Sequence, residues 1–310
     1  MSYTSVLPAV AALELTYCCN HQCIFCSCPW EADKGYKDKE LTLEEWFLVI
    51  DRLIENGAQS FTLTGGEPLT RKDTKEIIKY IASQNSKIVM ISNGRAMDDA
   101  FLDFLSKYEV TLCISVPGIS TFKAHTGVDN VDHVLSLFEK AKRFGLKTTA
   151  NIAVTKKNLP ELYENIALPL IHGAEYVLLN RFLPGGRGLS NTEYLLTLNE
   201  LNEMLDVAET VLAKADRYGH VGTELPLCAI KDPSKYKHLQ ISSVCAAAKG
   251  FFVVDPSGYL KVCNHSPQRV CHYTEIETII DNPYWQAVSV KRNRKGARRM
   301  RAPRSGHVLS

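Results

Sequence analysis

Three cysteines lie close together near the start of the chain. Cys19, Cys23 and Cys26 have the spacing C-x₃-C-x₂-C and follow an apolar, strand-like run at 10–17. A structural zinc site uses four protein ligands, and an ordinary iron–sulfur cluster is held by four cysteines. Three thiolates on one short loop can instead hold a four-iron cluster with one iron open to a small molecule. The triplet therefore points to redox chemistry rather than to a structural support.

Zinc remains an alternative, because clustered cysteines in a chain without a secretory signal often bind it. Cys18 and Cys28 flank the triplet and could compete as ligands, although the spacing favours the other three cysteines. The N-terminal segment 1–8 has neither the basic region nor the apolar core of a signal peptide. This predicts a cytoplasmic, reducing location, where disulfides are rare.

A second motif follows another strand-like run, at 60–64. Its residues are Gly65, Gly66, Glu67 and Pro68. The two glycines allow positive φ and a close approach of the backbone to a ligand. Glu67 offers an acceptor for an ammonium group, and Pro68 fixes the direction in which the chain leaves. Taken alone, the motif could be a simple strand-to-helix turn.

Together the two motifs resemble those of the radical S-adenosylmethionine (radical SAM) superfamily, and the resemblance covers about residues 8–215. It rests on Cys19, Cys23, Cys26, Phe25 and the segment 65–68. In that family the three cysteines hold a 4Fe–4S cluster, and S-adenosylmethionine chelates the open iron through its amino and carboxylate groups. The GGEP-like segment binds the amino group, and the aromatic residue before the third cysteine lies near the adenine. The resemblance thus implies both cofactors.

Strand-like and helix-like segments alternate along the first two thirds of the chain. The predicted strands are 10–17, 59–64, 87–92, 110–116, 147–154 and 176–183. The predicted helices are 42–56, 73–84, 98–106, 129–144, 159–172 and 197–215. Short apolar strands between helices indicate a parallel sheet covered by helices. The pattern alone leaves a doubly wound sheet open; the resemblance implies an α/β fold, a partial (β/α)6 TIM-like barrel.

Polar residues recur at or near the ends of these predicted strands, and in parallel barrels the carboxyl edge is the one that carries ligand sites. They are Ser92, Asn93, Ser115, Asn151 and Arg181. Each one alone could be a loop or capping residue. The resemblance implies that Ser115, Asn151 and Arg181 bind the ribose and carboxylate of S-adenosylmethionine.

After about residue 215 the alternation stops and a β-hairpin is predicted. Apolar runs at 251–254 and 259–262 flank the turn residues 255–258, a typical hairpin pattern. The surrounding cysteines are Cys228, Cys245, Cys263 and Cys271. This stretch resembles the start of the SPASM or twitch extension of radical SAM enzymes, which implies one possible auxiliary iron–sulfur cluster on these cysteines. They could equally be unligated thiols, and Cys113, within a strand, is expected to be a buried small residue.

The predicted organisation is a barrel domain at 1–215, an incomplete SPASM/twitch-like extension at 216–290 and a basic tail at 291–310. The chain has 310 residues and a net charge of +2, and no apolar run is long enough for a membrane span. The tail has eight Lys/Arg and no acidic residue, a composition typical of a solvated, disordered segment rather than of a nucleic-acid-binding one. An abnormal or truncated terminus is the alternative interpretation of this tail, and the further cysteines of a full two-cluster SPASM domain are missing from the sequence.

We therefore expect an enzyme that reductively cleaves S-adenosylmethionine to a 5′-deoxyadenosyl radical, which abstracts hydrogen from a substrate. The cysteines near the hairpin favour a ribosomally synthesised peptide as substrate, although no separate leader-binding domain is evident before the first strand. A small molecule, such as an amino sugar or a cofactor precursor, is the alternative substrate. A catalytically silent iron–sulfur binding module is the alternative function. The expected electron donor is of the flavodoxin or ferredoxin type.

Overall fold

The computed structural model describes residues 6–289, which form a mostly parallel sheet covered by helices. The strands are β1 (Val10–Glu14), β2 (Ser60–Thr64), β3 (Lys87–Ser92), β4 (Thr111–Ser115), β5 (Thr148–Val154), β6 (Tyr176–Arg181), β7 (Tyr218–Val221), β8 (Leu239–Ile241), β9 (Phe251–Val254), β10 (Tyr259–Lys261) and β11 (Cys271–His272). The α-helices are α1 (Leu43–Glu55), α2 (Thr74–Ser83), α3 (Asp99–Ser106), α4 (Phe122–Thr126), α5 (Val131–Arg143), α6 (Leu162–Ile171), α7 (Leu198–Ala215) and α8 (Pro283–Ser289).

The loops contain short 3₁₀ helices. They are Pro29–Glu31, Lys34–Tyr36, Pro68–Thr70, Leu159–Glu161, Gly186–Ser190, Thr192–Tyr194, Leu227–Ala229, Pro233–Lys235 and the longer Tyr273–Asp281. Three of them, Pro29–Glu31, Pro68–Thr70 and Gly186–Ser190, follow the ends of β1, β2 and β6, where the candidate site lies.

The sheet has the order β11-β10-β9-β1-β2-β3-β4-β5-β6-β7-β8. Strands β1 to β8 pair in parallel, each with the next along the chain. On the other side of β1, β9 also pairs in parallel, and β10 and β11 continue in antiparallel fashion. The sheet is open, with β8 at one edge and β11 at the other. This agrees with a partial barrel that carries a C-terminal hairpin.

Helices form because apolar residues recur with helical spacing, and their apolar faces cover one side of the sheet. In α1, Trp46, Val49, Ile50 and Leu53 are buried, and the helix begins at Thr42, whose side chain forms the predicted capping box with Glu45. A large cluster joins the first helices to β1–β5, and a second one joins α6 and α7 to β5–β8. The helices thus leave the other face of the sheet available for ligands.

The observed elements match the expected alternation, with one extension. All six predicted strands and helices are present, and so is the hairpin of β9 and β10. Beyond residue 215, however, β7 and β8 add two further parallel strands that we did not predict. They are short and joined by 3₁₀ turns rather than by an α-helix. The sequence therefore lacks the alternation of apolar strand and helix patterns there, although the strands still pair in parallel.

The division into a barrel and an extension at residue 215 does not coincide with a break in the sheet, because the pairing runs through it. The predicted basic tail at 291–310 lies outside the described residues. Within 6–289, no helix combines the length and apolar character that a membrane crossing requires.

Candidate functional site

The cysteine loop, residues 18–28, follows β1 at the carboxyl edge of the sheet and is hydrogen-bonded to α4. Gln22 N donates to Thr126 O at 2.8 Å, and Ile24 N donates to His125 O at 2.9 Å. The His125 ring is itself fixed, since its Nε2 lies 2.8 Å from Thr155 Oγ1. The loop is therefore a docked segment of defined shape. This role of α4 was not predicted from the sequence, because a five-residue helix has too little apolar periodicity.

The three predicted cluster ligands are all free thiols on this loop, with Cys19 exposed and Cys23 and Cys26 half-buried. Packing around the Cys19 sulfur raises its pKa to about 11, and the Cys26 thiol adds to this rise. Burial likewise raises the pKa of Cys23, with further contributions from Cys26 and Cys19. The pKa values of Cys19 and Cys23 thus both respond to the neighbouring Cys26 thiol.

The two flanking cysteines have other partners. The Cys28 thiol donates to Gly65 O at 3.5 Å, and its hydrogen bond to Cys26 lowers the Cys26 pKa. Cys18 is exposed, and its carbonyl oxygen accepts a hydrogen bond from Glu67 N at 2.8 Å. Cys28 thus contacts the triplet through Cys26, whereas Cys18 is tied by its backbone to the glycine motif.

The three thiols of the C-x₃-C-x₂-C motif are a donor set that fits a four-iron cluster with one open iron, while the adjacent Cys28 thiol donates to Gly65 O. In residues 6–289, no three His, Cys, Asp or Glu side chains converge on a position for a single metal ion. The ligand thiols must lose their protons on binding, so cluster loading is linked to pH.

The glycine pair after β2 lies directly against the cysteine loop. Gly66 N donates to Thr16 O at 2.8 Å, and a Cβ on Gly66 would lie 2.0 Å from Cys18 O. Gly65 has φ +126°, and a Cβ there would lie 2.9 Å from Thr16 O. Side chains at both positions would push the loop away. The two motifs that were separate in the sequence thus form one packed unit.

Glu67 is buried and has three protein donors. Its Oε1 accepts from Ser92 Oγ at 2.8 Å and from Leu69 N at 3.2 Å, and its Oε2 accepts from Asn93 N at 2.8 Å. Burial raises its pKa to about 7. The carboxylate therefore connects the ends of β2 and β3, a role beyond the expected one of accepting from an ammonium group. Pro68, also buried, begins the 3₁₀ helix that follows.

The polar residues predicted at the end of β3 are both within this unit. Ser92 is buried and donates to Glu67, so its hydroxyl helps to orient the Glu67 carboxylate. Asn93 Nδ2 donates to Asn20 Oδ1 at 2.7 Å and lies 3.9 Å from Cys19 Sγ. Asn93 thus contacts the cysteine loop directly.

Of the residues predicted at or near the ends of β4 to β6, Ser115 and Asn151 lie side by side, with Asn151 in the middle of β5, whereas Arg181 lies further along, opposite Val154. Ser115 and Asn151 are register partners and are half-buried. Asn151 Oδ1 accepts a hydrogen bond from Asn180 Nδ2 at 2.9 Å. Arg181 donates from Nη2 to Glu224 O at 3.3 Å, while its Nε is buried without a hydrogen-bond partner. Asn180 was missed because it precedes the more prominent Arg181.

Phe25, the aromatic residue before the third cysteine, is half-buried and lies 6.1 Å from the His125 ring, centroid to centroid. The segment 185–191, after β6, covers the loop from the other side and was also missed. Its signal was present in the sequence as three glycines around one arginine, Gly185-Gly186-Arg187-Gly188.

The cysteines of the C-terminal region are only partly brought together. The thiol of Cys245 contributes to the raised pKa of Cys263, which burial mainly causes, so these two lie near each other. Cys271, on β11, lies in the hydrophobic core, where burial raises its pKa to about 11. Cys228 is exposed in the loop between β7 and β8. Cys113 is buried, as expected.

A buried ion pair connects the hairpin to the end of β1. Lys261 Nζ lies 2.8 Å from Glu14 Oε2, and both side chains are almost fully inaccessible. Asn264 Nδ2 donates to Glu14 Oε1 at 3.0 Å. A second pair, Arg269 with the buried Asp255, has a separation of 2.6 Å. The hairpin is therefore fixed beside the cysteine loop.

Comparisons with known proteins agree with this geometry. Residues 13–167 match the model of the radical SAM superfamily. A probable GTP 3′,8-cyclase of Sulfurisphaera tokodaii is 31% identical over 197 residues, which cover 62% of each chain. The PqqA peptide cyclase of Granulibacter bethesdensis is 26% identical over 212 residues, which cover 65% of this chain and 54% of that one. The chain thus spans about six tenths of the length of these curated relatives or less.

Among solved structures, Streptococcus suis SuiB bound to the precursor peptide SuiA has a similar fold. The TM-score is 0.74 at 15% sequence identity, and the match covers 93% of this chain and 68% of that one. Radical SAM proteins are enzymes that use a 4Fe–4S cluster and S-adenosylmethionine. The family model matches half of the sequence, including the cysteine triplet and the glycine pair. The chain therefore belongs to the radical SAM superfamily.

Proposed function

We propose that this chain is an enzyme that reductively cleaves S-adenosylmethionine and uses the resulting 5′-deoxyadenosyl radical to abstract hydrogen from a substrate. The observation that carries the proposal is the packing of the glycine pair on the cysteine loop, where a Cβ on Gly66 would lie 2.0 Å from Cys18 O. This contact brings the cysteine loop and the glycine pair together, so that the cluster and S-adenosylmethionine can bind next to each other.

In this proposal Cys19, Cys23 and Cys26 hold the cluster, which when bound supplies the electron for cleavage. The backbone of Gly65 and Gly66 forms the seat of the methionine amino group. Glu67 and Ser92 position that backbone, because the buried carboxylate accepts from the Ser92 hydroxyl at 2.8 Å. These residues bind and orient; the cofactors carry the bond cleavage.

The rest of S-adenosylmethionine is proposed to lie along the carboxyl edge. Asn93 and Phe25 flank the cysteine loop, and Ser115 and Asn151 are register partners on adjacent strands. The buried Nε of Arg181 has no hydrogen-bond partner and suits a carboxylate. The protein must also exclude water from a reactive radical, and the half-buried side chains of β3–β6, which are uncharged apart from Arg181, serve this purpose.

The proposed substrate is a ribosomally synthesised peptide. Two observations support it: the SuiB fold similarity, in a structure bound to its precursor peptide, and the sequence similarity to a PqqA peptide cyclase. The hairpin of β9 and β10, anchored beside the cysteine loop by Glu14 and Lys261, gives the open barrel a wall along which a peptide can lie.

A small molecule is the second candidate substrate, because the probable GTP 3′,8-cyclase is 31% identical over 197 residues. The two candidates can be separated with the purified, reconstituted enzyme. A peptide encoded beside this gene should change in mass when it is co-expressed with the enzyme, whereas a small-molecule enzyme should leave it unchanged. GTP supplied in its place tests the second candidate.

The proposed partners and organisation follow from the same reasoning. A flavodoxin- or ferredoxin-type protein would supply the electron, and the cytoplasm is the proposed location because thiol ligands must remain reduced. We propose residues 1–215 as the catalytic barrel and 216–290 as a twitch-like extension.

The test of the proposal compares the wild type with a variant in which Cys19, Cys23 and Cys26 are alanine. After anaerobic reconstitution, the wild type should contain about four irons per chain more than the triple variant and form 5′-deoxyadenosine when given dithionite and S-adenosylmethionine. The triple variant should form none. A wild type that takes up zinc without iron and sulfide would contradict the proposal, and one that loads iron but forms no 5′-deoxyadenosine would be a binding module.

A further inference from the structure

We propose that Arg187 is a positioning residue that also raises the reduction potential of the cluster held by the cysteine loop. The inference rests on the proposed function, because it assumes a cluster on Cys19, Cys23 and Cys26. It assigns a specific task to the glycine-rich segment after β6: to hold the shape of the loop and to place one positive charge against it.

The segment 185–191 binds the cysteine loop by donating hydrogen bonds to the carbonyl groups of the loop. Arg187 Nη1 donates to Cys23 O at 3.1 Å, and Gly188 N donates to Cys26 O at 3.1 Å. Asn191 Nδ2 donates to Ile24 O at 3.0 Å. Three donors from one segment thus reach three carbonyls between the second and third ligand positions. This stretch of loop lacks regular secondary structure, so such donors satisfy its backbone.

The backbone of the segment is in direct contact with the cysteine loop at Gly186. Gly186 has φ +49°, and a Cβ on it would lie 2.3 Å from Cys28 O and 2.7 Å from Cys26 O. Glycine at this position therefore lets the segment reach the loop. Arg187, the next residue, is thereby positioned beside Cys23.

Arg187 carries the positive charge in this contact, and Glu31 partly compensates it. The side chain of Arg187 is 30% exposed, that of Glu31 is 21% exposed, and Nη2 of Arg187 forms an ion pair with the Glu31 carboxylate. Arg187 Nη1 lies 3.1 Å from Cys23 O, so the cation is placed beside a ligand position, and the Glu31 carboxylate lies directly next to that cation.

Reduction adds one electron, and therefore one negative charge, to the cluster with its thiolates. A nearby cation stabilises this state and a nearby anion destabilises it. Net charge and hydrogen bonding are established determinants of iron–sulfur potentials. Arg187 should therefore favour one-electron reduction by an external donor, and Glu31 should limit that effect.

The test is an EPR-monitored redox titration of the reconstituted full-length protein, with dithionite as the reductant and without S-adenosylmethionine. Arg187→Met should make reduction harder by about tenfold, which for a one-electron couple is a downward shift of about 59 mV. Glu31→Gln should shift the potential upward. Arg52→Met is the control: it removes an arginine charge at an exposed ion pair with Glu277, away from the cysteine loop, and should keep the wild-type potential.

The opposite signs distinguish an electrostatic effect from general damage to the loop. The inference is overturned if Arg187→Met retains the wild-type potential, or if Arg187→Met and Glu31→Gln shift it in the same direction. If Arg187→Met fails to bind iron, Glu31→Gln decides: an upward shift supports the inference and an unchanged potential overturns it. If the wild type binds iron but the variants show these contrary shifts, only this inference is refuted. If the wild type binds no iron, the proposed function itself is refuted.

Discussion

Glu67 accepts a hydrogen bond from the backbone N–H of Asn93, with 2.8 Å between Oε2 and N. The bond connects the turn after β2 with the turn after β3, and the second carboxylate oxygen accepts from Ser92. No cationic side chain is among the groups that shift the pKa of this buried carboxyl to about 7. The proposed ammonium-binding turn therefore has at its centre an acid that titrates near neutral pH.

The first prediction concerns the pH dependence of stability. Because burial raises the Glu67 pKa from 4.5 to about 7, the folded chain keeps a proton that the unfolded chain releases at lower pH. The associated stability is fully present below pH 4.5 and is lost as the pH rises through about 7. The loss is about 3 kcal/mol. Glu67→Gln should lack this decline, although it loses an acceptor for Asn93 N–H and so is less stable at low pH.

Urea denaturation of the cluster-free protein at pH 5 and pH 8 measures this difference. Glu203→Gln, which changes an exposed carboxylate on α7, is the control and should keep the wild-type pH dependence. Equal declines for the wild type and Glu67→Gln would show that Glu67 titrates normally in the folded chain.

The second prediction is that even a methyl group at Gly66 disrupts the site. Gly66→Ala would place Cβ 2.0 Å from Cys18 O, so the cysteine loop must move, at a cost of about 1–3 kcal/mol. Iron loading and S-adenosylmethionine affinity should both fall, measured by iron analysis and by equilibrium titration. Gly250→Ala is the matched control, because its Cβ would meet Ala246 Cβ at an ordinary 3.4 Å. Wild-type affinity in Gly66→Ala would exclude the glycine pair from the binding site.

The third prediction concerns the buried pair of Glu14 and Lys261. Lys261→Met leaves the Glu14 carboxylate buried without its cation, which should destabilise the fold by about 3–5 kcal/mol in urea denaturation. Adding Glu14→Gln should recover most of that loss, because the uncompensated charge is removed. Arg52→Met is the control: it breaks an ion pair with Glu277 whose side chains are 34% and 62% exposed, so its cost should be below about 1 kcal/mol. A double variant as unstable as Lys261→Met would indicate that packing, not charge, dominates.

The fourth prediction tests the auxiliary site. Because Cys245 and Cys263 lie near each other, we expect residual iron in the variant that lacks Cys19, Cys23 and Cys26. About four irons per chain would support a second cluster. Replacing Cys263 with serine in that background should remove them, while Cys113→Ser, at a buried strand position, should not. An iron-free triple variant would show that the C-terminal cysteines are unligated thiols.

The sequence alone determined the local elements and the donor atoms of the site. Helical periodicity with the capping box of Thr42 and Glu45 predicted α1, and the spacing of three thiols predicted their grouping. The glycine pair predicted a close backbone approach. These features are local: each depends on residues a few positions apart, whose geometry the chain itself dictates.

Tertiary structure decided which atoms meet. It showed that the glycine pair packs on Cys18, that Glu67 bonds to Ser92 and Asn93, and that Arg187 reaches Cys23 O across 164 positions. It also added β7 and β8 and turned Cys271 into the core. None of these contacts leaves a periodic pattern in the sequence, because they arise only when parallel pairing brings the ends of separate strands to one edge of the sheet.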